Sequence, residues 1–155
     1  MHLRLIAVGT RMPAWVTEGV NDYLRRLPRE LKAEFIEIPV ASRTGGEDIA
    51  RLKAAEGARI LKAAKGARLI ALDEHGREST TLQWAEALQG WMRTGQDVAL
   101  VIGGPDGHDP AVLAAAQAQW SLSKLTLPHA LVRVVLAEQL YRAWTVTVGH
   151  PYHRV

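Results

Sequence analysis

Between Leu100 and Arg133 the chain carries two stretches whose residue types suit the holding of a ligand. In the first, Leu100-Val101-Ile102 runs into Gly103-Gly104-Pro105-Asp106-Gly107, an apolar run that breaks into three glycines within five residues. Such a pattern is a buried strand ending in a tight loop, where glycine permits positive φ and leaves bare backbone for a ligand to approach. A plain strand-to-loop turn fits the same residues. The loop is not a P-loop, because no Lys-Ser/Thr follows the glycines, nor a dinucleotide fingerprint, because the G-x-G-x-x-G spacing is absent. The second stretch, Leu122-Ser123-Lys124-Leu125-Thr126-Leu127-Pro128-His129, sets hydroxyls three apart in an apolar segment and stops at a proline. Alone it reads as an ordinary loop; the information lies in the two stretches occurring together and in this order.

Two further groups could do chemistry. Glu138 and Arg142 stand at i,i+4 in a helical pattern and can pair on one face. They are either a surface ion pair or an arginine facing a nucleotide with a glutamate orienting it. The tail His150-Pro151-Tyr152-His153-Arg154 is either a frayed terminus or an RNA contact, through base stacking and phosphate pairing. The chain has no cysteine, which excludes disulfides, Cys-based zinc sites and thiol nucleophiles. No metal site is expected.

The elements that must position these groups follow from periodicity. Leu3 to Gly9 is a short apolar strand. Pro13 stands at the first position of a helix on which Trp15, Val16, Val20, Tyr23, Leu24 and Leu27 recur, ending at Pro28. Glu34 to Ile38 alternates polar and apolar residues before Pro39, as a half-buried strand at a sheet edge or with one wet face does. Ala41 to Asp48, with Gly45 and Gly46, reads as a mobile loop, and helical spacing resumes with Ile49, Leu52, Ile60 and Ala63. Arg68 to Asp73 is a buried strand leading into a turn at Glu74-His75-Gly76. Thr80 and Gln83 match a capping box, followed by a helix with Trp84, Ala85, Leu88, Trp91 and Met92 on its apolar face and Gly95 at its end. Asp97 to Ile102 is the strand that feeds the glycine loop, and Leu131 to Val148 is a helix apolar around much of its circumference.

Alternating strands and helices predict an α/β fold, a mostly parallel sheet with helices on both faces. Ligands in such sheets bind beyond the carboxyl ends of the strands, here at Leu72-Asp73 and Gly103-Gly104. With 155 residues and no repeat or low-complexity tract, one domain over 1–155 is expected. No apolar run approaches the roughly 20 residues that span a bilayer, and no signal peptide is legible, so a cytoplasmic protein is expected. The net charge of +3 hides two basic clusters, Arg25, Arg26, Arg29 and Lys32, and Arg51, Lys53, Arg59, Lys62, Lys65 and Arg68. These suit a polyanionic partner and equally suit a solvated face.

An ordered set of short motifs carries a resemblance over the whole length. It comprises Leu5-Ile6-Ala7-Val8-Gly9, Tyr23-Leu24-Arg25-Arg26, Ile36-Glu37-Ile38-Pro39, Ile102-Gly103-Gly104-Pro105, Trp120-Ser121-Leu122-Ser123, Leu125-Thr126-Leu127-Pro128-His129, Leu131-Val132-Arg133-Val134, Glu138, Leu140-Tyr141-Arg142-Ala143-Trp144 and the tail. With these the chain resembles the RlmH family, SPOUT-class methyltransferases that act on N3 of a pseudouridine in 23S rRNA. The resemblance implies S-adenosylmethionine as cofactor, a C-terminal trefoil knot, a homodimer with the last helix at its interface, and the assembled ribosome as substrate. It places Leu72, Gly103, Gly104, Leu122, Ser123, Lys124, Leu125, Thr126, Leu127 and Pro128 around the cofactor, and Arg133, Glu138, Arg142, Tyr152, His153 and Arg154 on the RNA.

Methyl transfer from a sulfonium is mainly a matter of positioning, but an imide N–H must also lose its proton, for which His129, His153 and Asp106 are the candidate bases. His129 is the one carried forward, with a helix-capping role as its alternative. Two rival functions stay open: a methyltransferase of the same class acting on another RNA such as tRNA, and a non-catalytic nucleotide- or RNA-binding module of ribosome assembly.

Overall fold

The computed structural model of the protein describes residues 1–42, 45–46 and 48–154. Five strands form one sheet: β1 (Leu3–Val8), β2 (Glu34–Ile38), β3 (Arg68–Glu78), β4 (Val98–Ile102) and β5 (Ala118–Ser121). They lie in the order β2-β1-β4-β3-β5, and every neighbouring pair is parallel. Parallel strands need long crossovers, and the crossovers here are helices that cover both faces. That is why β4 reads Val-Ala-Leu-Val-Ile without a polar break and is buried throughout.

Alternate side chains of each strand go to opposite layers. Leu5, Ile70 and Leu100 pack under α1 (Ala14–Leu24), α3 (Thr81–Thr94) and α5 (His129–Thr147), through Val16, Val20, Leu88, Leu136 and Leu140. Ile6, Ala71 and Val101 pack under α2 (Ile49–Ala63) and α4 (Pro110–Ala115), through Ile60 and Val112. Of the described helices, none is long and apolar enough to cross a membrane.

β2 does lie at an edge of the sheet, with β5 at the other, and the Thr80–Gln83 capping box is complete at the start of α3, with Gly95 left-handed at its end. Several boundaries differ. Pro13 is the cap rather than the first residue of α1, and α1 stops at Leu24, so Leu27 is buried from the turn that follows. Trp15 and Ile49 lie off the buried arcs of their helices and are exposed. The expected loop from Ala41 to Asp48 falls partly on residues 43, 44 and 47, outside those described. Asp48 at its end caps α2, accepting from the Ala50 N–H.

Three differences bear on the site. No turn ends β3 at Glu74-His75-Gly76; the strand continues to Glu78 with a register shift between Leu72 and Arg77 opposite Trp120. It continues because β5, which periodicity does not reveal, pairs with it there. At the shift the backbones nearly touch: a Cβ on Gly76 would lie 2.7 Å from the Trp120 carbonyl carbon and 2.8 Å from that of Gln119. Finally, α5 begins at His129, two residues before the expected start, with Pro128 as its cap.

Candidate cofactor cleft and the anchored tail

The middle of β3, just where its register shifts, the carboxyl ends of β4 and β5 and the first turn of α5 surround a cleft of about 250 Å³. Of the residues expected around a cofactor, Leu72, Gly103, Gly104, Leu122, Ser123, Leu125 and Leu127 line it. Lys124, Thr126 and Pro128 are not among its lining. Lys124 reaches out to within 3.9 Å of Glu78, Thr126 is exposed, and Pro128 caps α5.

Serines shape the loop between β5 and α5. The Ser121 hydroxyl donates to the Ser123 carbonyl (2.9 Å) and accepts from the Ser123 N–H (3.3 Å), while the Leu125 N–H donates to Ser123 Oγ (2.9 Å). Held by these bonds, the loop turns Leu122 and Leu127 toward the cleft and leaves Leu125, 74% exposed, at its mouth. The glycines act differently from the expectation of bare backbone facing a ligand. A Cβ on Gly104 would point inward, 3.0 Å from Val8 Cγ1 and 3.1 Å from Glu56 Oε1. One on Gly103 would meet the loop's own residues, 3.1 Å from the Gly107 carbonyl carbon and 3.2 Å from His108 Nδ1. Both glycines let the loop close on itself and on the sheet.

His108 is a lining residue that sequence reasoning missed. Its Nε2 lies 2.8 Å from the Leu72 carbonyl, a contact that puts the proton on Nε2. Its Nδ1 is then an acceptor, sealed from solvent and without a protein partner among the described residues. Burial holds the imidazole below its ordinary pKa, against the opposing pull of the Leu72 carbonyl. The only advance signal was a histidine just after a glycine loop; its contact is 36 residues away in the chain. Asp73, Glu74 and His129 complete the polar part of the wall.

His129 is held from both sides. Its Nε2 accepts from the Arg133 Nε–H at 3.0 Å. Burial, with the Arg133 charge beside it, keeps the ring below its ordinary pKa, although a hydrogen bond to the Gly103 backbone works the other way. The assignment of His129 as base therefore meets an obstacle, since the lone pair that would take a proton is engaged by a guanidinium. Arg133 itself, expected to touch RNA, is only 2% exposed and faces the interior. It donates to Glu37 (2.7 Å) and to the Gly9 carbonyl (2.8 Å), and its guanidinium sits 5.2 Å from the Phe35 ring centre. This buried cation ties the ends of β1 and β2 to the start of α5.

Both cleft histidines favour the neutral form on folding. An unfolded histidine takes a proton near pH 6.5, so stability is fully present above that value and is lost as pH falls toward the lower folded pKa values. Denaturant unfolding repeated across pH 5 to 8 should show stability flat above about 6.5 and falling below it, with His108→Leu making the fall shallower. A wild-type profile level down to pH 5 would show that neither ring is held neutral.

The tail is anchored rather than frayed. Arg142 grips Glu138 through Nε (3.0 Å to Oε2) and Nη2 (2.8 Å), and the Tyr152 hydroxyl donates to the same carboxylate at 2.9 Å. The Tyr152 ring packs edge-on against Tyr141, and the Arg142 guanidinium lies 4.7 Å from the Tyr152 ring centre. Burial, followed by the neighbouring Glu138, pushes the Tyr152 phenol well above its ordinary range, so it stays a hydrogen-bond donor. His153 Nδ1 is 3.4 Å from Arg142 Nη1, and Arg154 is exposed. At 1.5 Å per residue along α5, Glu138 and Arg142 stand roughly 14–20 Å from His129. In one chain the cleft and the tail cluster are separate places.

The cleft's chemistry suits S-adenosylmethionine. Leucines at 72, 122 and 127 offer an apolar slot for an adenine ring, and Asp73 and Glu74 favour a cationic ligand.

Solved structures share the architecture. A probable methylase family protein from Haemophilus influenzae Rd KW20 superposes with a TM-score of 0.59 at 12% identity, over 99% of this chain and 70% of that one. A probable methyltransferase from Bordetella pertussis Tohama I gives 0.55 at 14% identity, over 91% of this chain and 95% of the other. At such identities the likeness shows the fold alone. The family model described as predicted SPOUT methyltransferase matches residues 1–153. Two curated relatives carry the name ribosomal RNA large subunit methyltransferase H. The one from Chromohalobacter salexigens is 52% identical over 155 residues, 99% of this chain and 100% of its own. The one from Hahella chejuensis is 51% identical over 155 residues, 99% of each. The chain belongs to the RlmH family of SPOUT methyltransferases, enzymes whose methyl donor is S-adenosylmethionine.

Proposed function

We propose that this enzyme methylates N3 of a pseudouridine in 23S rRNA on the assembled ribosome, in the cytoplasm, as a homodimer in which each cleft is completed by the partner's tail. The observation that carries the composite site is the separation along α5. The groups suited to RNA (Arg142, Tyr152, His153 and Arg154) stand about 14–20 Å of helix away from the cleft, so only a second copy brings them to it. The partly covered apolar residues of α5, among them Val132, Val135, Trp144 and Val146, suit such a partner. The names of the relatives support large-subunit rRNA as substrate. A trefoil knot belongs to the same proposal; the loop after β5 shares the cleft with the middle of β3 and the end of β4 before the chain enters α5.

Bound S-adenosylmethionine supplies an electrophilic methyl group on a sulfonium. The chain's own part is to hold the adenosine among its leucines, keep Tyr152 protonated, and keep Glu138 and Arg142 locked to each other so that the arginine faces the RNA in a fixed pose. With Arg133 buried, the substrate set narrows to Glu138, Arg142, Tyr152, His153 and Arg154. Glu138 acts through Arg142 and Tyr152, as a positioning residue.

A compact protein of net charge +3 can neutralise few phosphates at once and binds naked RNA weakly. Methyl transfer from labelled cofactor should therefore appear with assembled ribosomes already carrying the pseudouridine, and be at least about tenfold slower on free 23S rRNA or tRNA. Mass spectrometry of the digested RNA identifies the modified base. Faster methylation of tRNA would move the function to the first rival, and no transfer despite cofactor binding would move it to the binding module.

A further inference from the structure

The layer opposite α5 carries a feature that neither the cleft nor the tail uses. On α2, the turn after it and the first residue of β3, Arg51, Arg59, Lys62, Lys65 and Arg68 are exposed and Lys53 is half-buried. Elsewhere the protein pairs many of its cations: Arg4 with Asp97, Arg25 and Arg26 with Asp22, Lys124 with Glu78, Arg133 with Glu37, Arg142 with Glu138. Among the described residues, none of the six has a carboxylate partner; Arg59 alone makes a side-chain hydrogen bond, a long one of 3.5 Å to the Pro39 carbonyl. The one acid within α2, Glu56, is turned inward and buried, accepting from the Ala41 N–H. Neighbouring outward positions hold alanines at 54, 55 and 58, and the adjacent α4 shows Ala111, Ala114 and Ala115 to solvent. Two acids adjoin α2, Asp48 at its cap and Asp109 against Gly57; each accepts from a backbone N–H, and among the described residues neither pairs with any of the six cations.

The placement is directional. Arg51 and Lys62 lie on one stripe of α2, about 16 Å apart at 1.5 Å per residue. Lys53 stands about 200° around the helix from Arg51, on a different flank of α2 from that stripe. The stripe occupies the face of the sheet opposite α5, which a dimer through α5 leaves uncovered.

We infer that the outer face of α2 is a second RNA contact, a cationic track that holds the phosphate backbone of the substrate while the target base sits in the cleft. The inference rests on the reading of the protein as an rRNA methyltransferase and adds where the RNA runs. Unpaired, exposed cations at several positions in a row complement a polyanion, and each phosphate neutralised contributes to affinity through released counterions. They carry no base specificity, which suits a track that positions while the cleft selects.

The test is the full-length variant R51Q/R59Q/K62Q/K65Q, which leaves Lys53 and the cleft intact. Its binding to ribosomes is compared with wild type over a salt series. The track predicts at least about tenfold weaker binding at low salt, and a slope of log affinity against log salt shallower by about 3. Cofactor affinity and kcat at saturating ribosomes should stay as in wild type. A control, R25Q/R29Q/K32Q/R93Q, removes the same charge away from α2 and should bind more nearly as wild type does. Unchanged affinity and slope in the α2 variant would overturn the inference, and so would equal losses in both variants, since only net charge would then matter. A wild-type protein that binds ribosomes without methylating them would sink the proposed function while leaving this comparison of affinities decisive.

Discussion

Gly76→Ala should cost the protein its cofactor site. Gly76 lies at the register shift of β3, where a methyl group would stand 2.7–2.8 Å from backbone atoms of Gln119 and Trp120. Backbone cannot rotate away as a flexible side chain can, so β5 must move. Overpacking of this kind costs about 1–3 kcal/mol. The functional loss should be larger than that figure suggests, because β5 ends in Ser121, whose hydroxyl holds the loop carrying Leu122, Ser123, Leu125 and Leu127. Each 1.4 kcal/mol withheld from the bound state is a factor of ten, and affinity for S-adenosylmethionine should fall about 10–100-fold by calorimetry. Gly90→Ala is the control: on α3 the added methyl would meet nothing closer than 3.9 Å, and the change should leave binding as it was. Wild-type affinity in Gly76→Ala would show that the two strands have slack at the shift.

That same glycine marks where the sequence stops being readable. Glu74-His75-Gly76 has the composition of a turn, and a turn is what local chemistry predicts. The strand persists there because a partner more than forty residues later pairs with it. That partner, β5, is only four residues long, and the helix before it, α4, has six residues rich in alanine, so neither shows a period. By contrast, β1 from Leu5, β4, and β3 from Leu69 to Leu72 were legible because burial on both faces demands an apolar run. The start of α3 was legible because a capping box is local chemistry.

The cleft divides along the same line. Its leucines and glycines belong to two continuous stretches and could be picked out, whereas His108 gains its role from the carbonyl of Leu72 on another strand. Arg133 shows the opposite failure. An arginine in an apolar helix invites a role with RNA, but its partners Glu37 and the Gly9 carbonyl, 96 and 124 residues earlier, draw it inward. Long-range pairings of this kind leave no mark at either end of the pair.

The composite site predicts recovery of activity from two dead proteins. One variant would lack the tail from Pro151 onward, losing Tyr152, His153 and Arg154 while keeping its cleft. The other would carry Gly103→Val, whose Cβ meets the loop's own backbone 3.1–3.2 Å away and should deform the glycine loop, with tail and α5 intact. Each homodimer should be inactive. Mixed by unfolding and refolding together, the two chains form heterodimers in which the intact cleft of one faces the intact tail of the other. With random pairing through a two-fold interface, half the dimers are mixed and each has one working site, so activity should return to about a quarter of wild type. If each tail served its own cleft instead, the mixed dimer would hold a cleft without a tail and a tail without a cleft, and no activity would return. Native mass spectrometry establishes that heterodimers are present, so an inactive mixture would rule the shared site out. Within one protomer, Arg142 already grips Glu138 and Tyr152 already donates to it, so in the proposed dimer the tail would meet the partner's cleft as a prearranged group, with little ordering left to do when RNA arrives.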